Sequence, residues 1–132
     1  MSENRSILEY QRQSINTMSK GELLVRLFDE ALKNIKYASI LMKEKNDAAA
    51  KACTEKCIRI FNYLCVILDR NYEISGELYK IYSFLNEEII KASVKRDASV
   101  LDGIIPLIQE LHDTWSQANK LTHMQNSRLQ SR

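Results

Sequence analysis

The sequence predicts an all-α protein, an antiparallel up-down-up-down four-helix bundle with an N-terminal docking arm. Three observations carry this expectation. Breakers are rare, with 3 Gly and 1 Pro in 132 residues, while Ala, Leu, Lys, Glu and Gln abound. Apolar residues recur at alternating three- and four-residue spacing in four separate stretches. The connections between those stretches are short, which favours antiparallel neighbours. The length is that of one domain, read as an arm over 1–18, a bundle over 19–118 and a tail over 119–132 that is expected to fray or lack order.

In the arm, Ile7, Leu8, Tyr10 and Ile15 stand among Gln, Arg, Ser and Asn. That is too sparse to hold an isolated helix and too apolar for a merely solvated tail, so the arm is expected to dock on the bundle. The alternative is a plain disordered terminus. Ser19-Lys20-Gly21-Glu22 then fits a capping box. Helix 1 follows with Leu24, Phe28, Ala31, Ile35, Ala38 and Met42 as its seam and is expected to run to about Lys45. Asn46 or Asp47 caps helix 2, which runs to about Arg70.

The longest break spans Asn71 to Gly76, with Ser75 as the cap of helix 3. The seam of helix 3 is Leu78, Tyr82, Leu85, Ile89 and Ala92, with Tyr79, Ile81 and Phe84 beside it. Asp97 makes a tight turn and caps helix 4. Helix 4 carries Leu101, Ile104, Ile108, Leu111, Trp115 and Ala118. Pro106 falls inside that pattern and removes one backbone donor, so a kink rather than a stop is expected there. Phe28 and Trp115 are both assigned to the core.

Helix 2 is unusual. From Cys53 to Asp69, Phe61 and Leu68 fill one seam position and Cys57 and Leu64 the other. Cys53, Ile60 and Ile67 flank them on one side, Ile58 and Cys65 on the other. Four of seven heptad positions are apolar, about one more than a bundle core ordinarily needs. The flank with Ile60 and Ile67 is therefore a candidate partner groove; the alternative is that it packs on a neighbouring helix.

Several classes of function are disfavoured. Net charge is +2 without a dense basic run, against nucleic acid or an anionic membrane surface. No stretch has the roughly 20 apolar residues of a membrane span and no signal core is visible, so a cytosolic location is expected. Cys53, Cys57 and Cys65 all lie on the apolar arc of one helix and read as small buried hydrophobes; no second Cys or His pair completes a metal site. A di-iron or di-manganese bundle needs Glu three residues before His, but Gln109 precedes His112 and Lys120 precedes His123. No cofactor is expected. Asp29 and Asp113 lie near core aromatics, where a carboxylate with a raised pKa is one reading and a rim salt bridge or a solvated face the favoured one, and His112 receives no catalytic role.

The residues in their order resemble the FliS family of flagellar export chaperones over about Tyr10 to Trp115. The likeness rests on Tyr10, Ile15, Thr17, Ser19, Glu22 and Leu23 in the N-terminal motif, and on Leu27-Phe28-Asp29 where Leu-Tyr-Asp is usual. It continues through Leu64 and Leu68-Asp69, then Leu78, Ile81-Tyr82, Phe84, Ile89, Ala92 and Asp97, then Leu101, Leu111, Asp113 and Trp115. Departures are Lys20 for a helix-opening proline, Ser93 for Asn and Pro106 for Gly. The resemblance implies a cytosolic bundle, not an enzyme, that binds the disordered C-terminal segment of flagellin. It further implies that the bundle blocks premature polymerisation and delivers its client to the flagellar export gate. Partner-binding residues are then Ile7, Tyr10, Ile60, Leu64, Ile67, Ile81 and Phe84, with the arm covering part of that surface. Such a chaperone is a monomer or weak dimer; the alternative is an oligomeric helical adaptor without a secretion client.

Overall fold

Four helices fill residues 19–130, the part of the chain that the computed structural model describes: α1 (Lys20–Lys43), α2 (Asp47–Val66), α3 (Ile74–Lys95) and α4 (Ala98–Gln130). Each packs on its neighbour in sequence, α1 packs most extensively on α4, and diagonal pairs barely meet. That ring is the up-down-up-down bundle. The arm with Ile7 and Tyr10 lies outside the described residues.

Local chemistry explains most helix ends. The Glu22 amide donates to Ser19 Oγ at 3.1 Å, satisfying one orphan donor of α1. The reciprocal half of the capping box is replaced, because Glu22 Oε1 instead meets His123 Nε2 at 3.0 Å. The α1–α2 and α3–α4 turns share one design. Lys45 and Arg96 adopt the left-handed conformation, with φ of 61° and 53°. The next amides, of Asn46 and Asp97, reach back to the carbonyls of Leu41 and Ala92 at 2.8 and 3.0 Å, the Schellman closure of a helix end. Asp97 then caps α4, its Oδ1 accepting from the Ser99 amide at 3.0 Å.

Three boundaries differ from the sequence expectation. Helix α2 stops at Val66 instead of Arg70, because Asp69 Oδ1 accepts from the Asn71 amide at 3.0 Å, a local bond that competes with the helix. Helix α3 begins at Ile74, so Ser75 is a buried first-turn residue and not the cap. Helix α4 continues through Pro106 and past Ala118 to Gln130, where the sequence suggested a fraying tail. Its added turns are held by the start of α1, through Asn119 beside Gly21 and His123 against Glu22.

The core is centred on three aromatic rings. Phe28 of α1, Phe61 of α2 and Tyr82 of α3 are essentially solvent-free, with centroids 6.4, 6.1 and 6.1 Å apart in tilted and edge-on geometries that suit ring quadrupoles. Ile35, Leu64, Leu85, Ile89, Leu101 and Ile108 complete it. Cys57 is fully buried, its Sγ 3.5 Å from the Ala31 carbonyl, as the small-hydrophobe reading expects, whereas Cys53 and Cys65 are only partly buried at the edge of the core.

Truncating Phe28 or Phe61 to Ala should cost about 3–5 kcal/mol in urea unfolding. Lys45→Gly and Arg96→Gly should each stabilise by about 0.5–1 kcal/mol, the relief of left-handed strain less the added backbone entropy; a lower urea midpoint would contradict the turn geometry. Burial pushes the Cys57 thiol and the Tyr82 phenol each up to about 12, from 9.0 and 10.0. Both groups are neutral when protonated, so the unfolded chain loses these protons first. Stability should fall as pH rises from about 9 towards 12, read as a lower urea midpoint at pH 10.5 than at pH 8.

Candidate functional site

The four helices do not close at the end of the bundle where α1 begins. An apolar groove of 570 Å³ opens there, within the size range of small-ligand and anchor pockets. The first turns of α1 supply Lys20, Gly21 and Leu24. The last turn of α2 supplies Leu64, and the connection to α3 adds Ile67, Leu68 and Tyr72. From α3 come Ile74, Leu78 and Tyr82, and from α4 comes Trp115. Among the described residues the only side-chain charges on the rim are Lys20 and Asp69.

Each wall has a local cause. The α2–α3 connection leaves the helical path at Ile67, which turns Tyr72 and Ile74 out to the mouth, where both are exposed. Tyr82 packs with Phe28 and Phe61 on one side and forms groove floor on the other. Trp115, assigned to the core from sequence, is only partly buried and packs against the core from the groove wall. Its indole N–H favours the Tyr82 phenolate, which works against the upward shift from burial.

The structure divides the sequence-predicted partner residues among several places. Ile67 and Leu64 lie together in the groove, Leu64 as floor at 1% exposure. Ile60 is 9% exposed and belongs to the core. It lies on the side of α2 that carries Lys56, whose Nζ is 3.3 Å from Glu30 of α1, so this part of the wide apolar arc serves helix packing. Ile81 and Phe84 lie elsewhere. Asn86 and Ser93 bond α3 to Asn62 and Thr54 of α2. The helical period puts Ile81 and Phe84 on the other side of α3, towards α4. There Ile81 is half-buried and Phe84 is 47% exposed. Ile7 and Tyr10 fall outside the described residues.

Asp29, His112 and Asp113, singled out separately from sequence, converge. His112 Nε2 is 2.6 Å from Asp29 Oδ1 and its Nδ1 is 3.0 Å from Asp113 Oδ1. Hydrogen bonds from His112 and Gln109 hold the Asp113 carboxyl below the usual carboxylate range. The cluster joins α4 to α1, as the rim ion-pair reading has it. Among the described residues no group of His, Cys, Asp and Glu is arranged to hold a metal, and no helix is long and apolar enough to cross a membrane.

The family model described as "Flagellar protein FliS" matches residues 3–122. The chain belongs to the FliS family. It is 30% identical to the flagellar secretion chaperone FliS of Bacillus subtilis (strain 168) over 114 residues, covering 83% of this chain and 82% of the relative. Identity to the FliS of Escherichia coli (strain K12) is 26%, over 80% of this chain and 79% of the relative. In fold it is similar to the crystal structure of a bacterial flagellar chaperone, with a TM-score of 0.73 at 18% identity, covering 89% of this chain and 98% of that one. FliS is a chaperone family and not an enzyme family, and membership gives this chain a chaperone role in flagellar secretion.

The wide arc of α2 pointed to Ile67, but Tyr72, Ile74, Leu24 and Trp115 were not assigned to a site. One signal was available for two of them: the longest break carries two large apolar residues, Tyr72 and Ile74, where solvated loops are ordinarily polar. The chain has 1 Trp, and it stands on the groove wall. Occupancy of the groove should therefore shift its emission, and Trp115→Phe should abolish that signal while preserving the fold. An unchanged emission at saturating ligand would separate the ligand from this groove. Of the three thiols, Cys57, buried and raised to about 12, should react with a disulfide reagent at pH 8 only when the bundle unfolds.

Proposed function

We propose that this chain is a cytoplasmic export chaperone that holds the disordered C-terminal segment of flagellin. In this reading it prevents premature polymerisation and carries the client to the flagellar export gate. The observation that carries the reading is the apolar groove in a chain of the FliS family. A client segment that folds on binding needs a concave apolar surface for the anchors of one helix face. Tyr72, Ile74, Ile67 and Leu78 supply it at the mouth, and Tyr82 and Leu64 form its floor. Ile81 and Phe84, on the α4 side of α3, offer a second apolar strip for a segment that wraps round the bundle.

The arm fits the same reading as a cover. The chain enters α1 at Lys20, itself on the groove lip. Tyr10 is ten residues upstream, a reach of roughly 33 Å if extended. Burying Ile7 or Tyr10 contributes about 1.5–3 kcal/mol before ordering costs, enough to rest an arm in the groove and too little to lock it against a longer client.

Titration with a flagellin C-terminal peptide, followed through Trp115 emission and calorimetry, tests the reading. One peptide should bind a monomer or weak dimer, and Ile67→Glu should weaken binding at least about tenfold while keeping a cooperative melt. Deleting residues 1–13 should tighten binding. A stable oligomer that takes up no peptide would instead favour a helical adaptor without a secretion client, and weaker binding after the deletion would make the arm part of the client site.

A further inference from the structure

Gly21 lines the groove, and it also lies directly beneath α4. A methyl group at this position would meet Asn119 Oδ1 at 2.5 Å, so the Asn119 side chain of α4 lies over Gly21 in the space that a side chain there would take. One residue further along α1, Glu22 Oε1 is 3.0 Å from His123 Nε2. Asn119 and His123 are four apart and so share one face of α4. We propose that α4 beyond Trp115 is a clasp that positions the first turn of α1 as a wall of the groove, with Asn119 and His123 as positioning residues for client binding. The client part rests on the function proposed above.

The first turn of α1 needs such support. The opening amides of a helix have no intrahelical acceptors, and helix ends are the first part to open. Among the described residues only Ser19 answers here, through its hydroxyl to the Glu22 amide and its carbonyl to the Leu23 amide. Yet Lys20, Gly21 and Leu24 from this turn form one side of the groove. The opposite wall residue, Trp115, is one turn before Asn119 on α4, so a single helix sets both the wall and the clasp that fixes the distance to it. The Glu22–His123 pair is substantially exposed, and such pairs are individually weak. The Asn119 side chain packs over Gly21, and the Glu22–His123 pair holds the two helices in register.

The test uses the full chain carrying Asn119→Ala with His123→Ala, two positions outside the buried core. Amide exchange at Leu23 to Leu27 should accelerate by about three- to tenfold, with the central amides of α3 unchanged. Affinity for the flagellin C-terminal peptide should fall by a similar factor. His123→Arg, which keeps a donor for Glu22, should behave as wild type. Unchanged exchange in α1, equal acceleration in every helix, or accelerated exchange with unchanged peptide affinity would each overturn the clasp. If wild-type protein fails to bind the peptide, the chaperone reading falls by itself, while the exchange experiment still decides whether α4 positions α1.

Discussion

Phe28, Phe61 and Tyr82 meet where three helices converge, and the open end of the bundle takes its shape from that meeting. Each ring comes from a different helix and none has an alternative contact with water. Their approach at 6.1–6.4 Å fixes the separation of α1, α2 and α3 at that level, because close-packed interiors do not deform continuously. Tyr82 then faces two ways, into the ring cluster and onto the groove floor. The core and the site therefore share a residue, and the concavity above it cannot collapse without displacing the rings below.

The polar bonds between helices follow a pattern with a simple cause. Helices joined by the Lys45 and Arg96 turns have their register set by the chain itself. The α2–α3 pair has a longer connection and α1–α4 none. Those two seams carry most of the side-chain bonds: Asn86 to Asn62 at 2.8 Å and Thr54 to Ser93 at 3.4 Å on one, and Ser39 to Asp102 at 2.6 Å with the His112 cluster on the other. Ser39 and Lys43 together hold the Asp102 carboxyl below its usual range. A helix sliding by one turn would leave these groups unpaired, and that penalty exceeds the modest net gain of each bond.

The fold was legible in the sequence because helix period, Ser19, Asp97 and the scarcity of Gly and Pro all agree. The site was legible only in fragments. Heptad position says that Ile60 and Ile67 are flank residues; it does not say that Ile60 meets α1 while Ile67, past the last regular turn, meets open space. Trp115 continues the seam of α4, but it lines the open groove and is only partly buried, so a core position by pattern became a wall by geometry. The α4 extension was missed for the same reason: Asn119 and His123 look solvated until Gly21 and Glu22 are placed beside them. Besides the wide arc of α2, the two large apolar residues in a break, Tyr72 and Ile74, were a readable sign of a site.

The two left-handed turns lie at one end of the bundle and the groove at the other. Helices of 20 and 24 residues are about 30 and 36 Å long. Tilting one by about 3° at its turn carries its far end by about 1.5–2 Å, roughly the van der Waals radius of a methyl group. With the turns at one end and the groove at the other, helix length would amplify a small angle at either turn into a difference in aperture at the mouth.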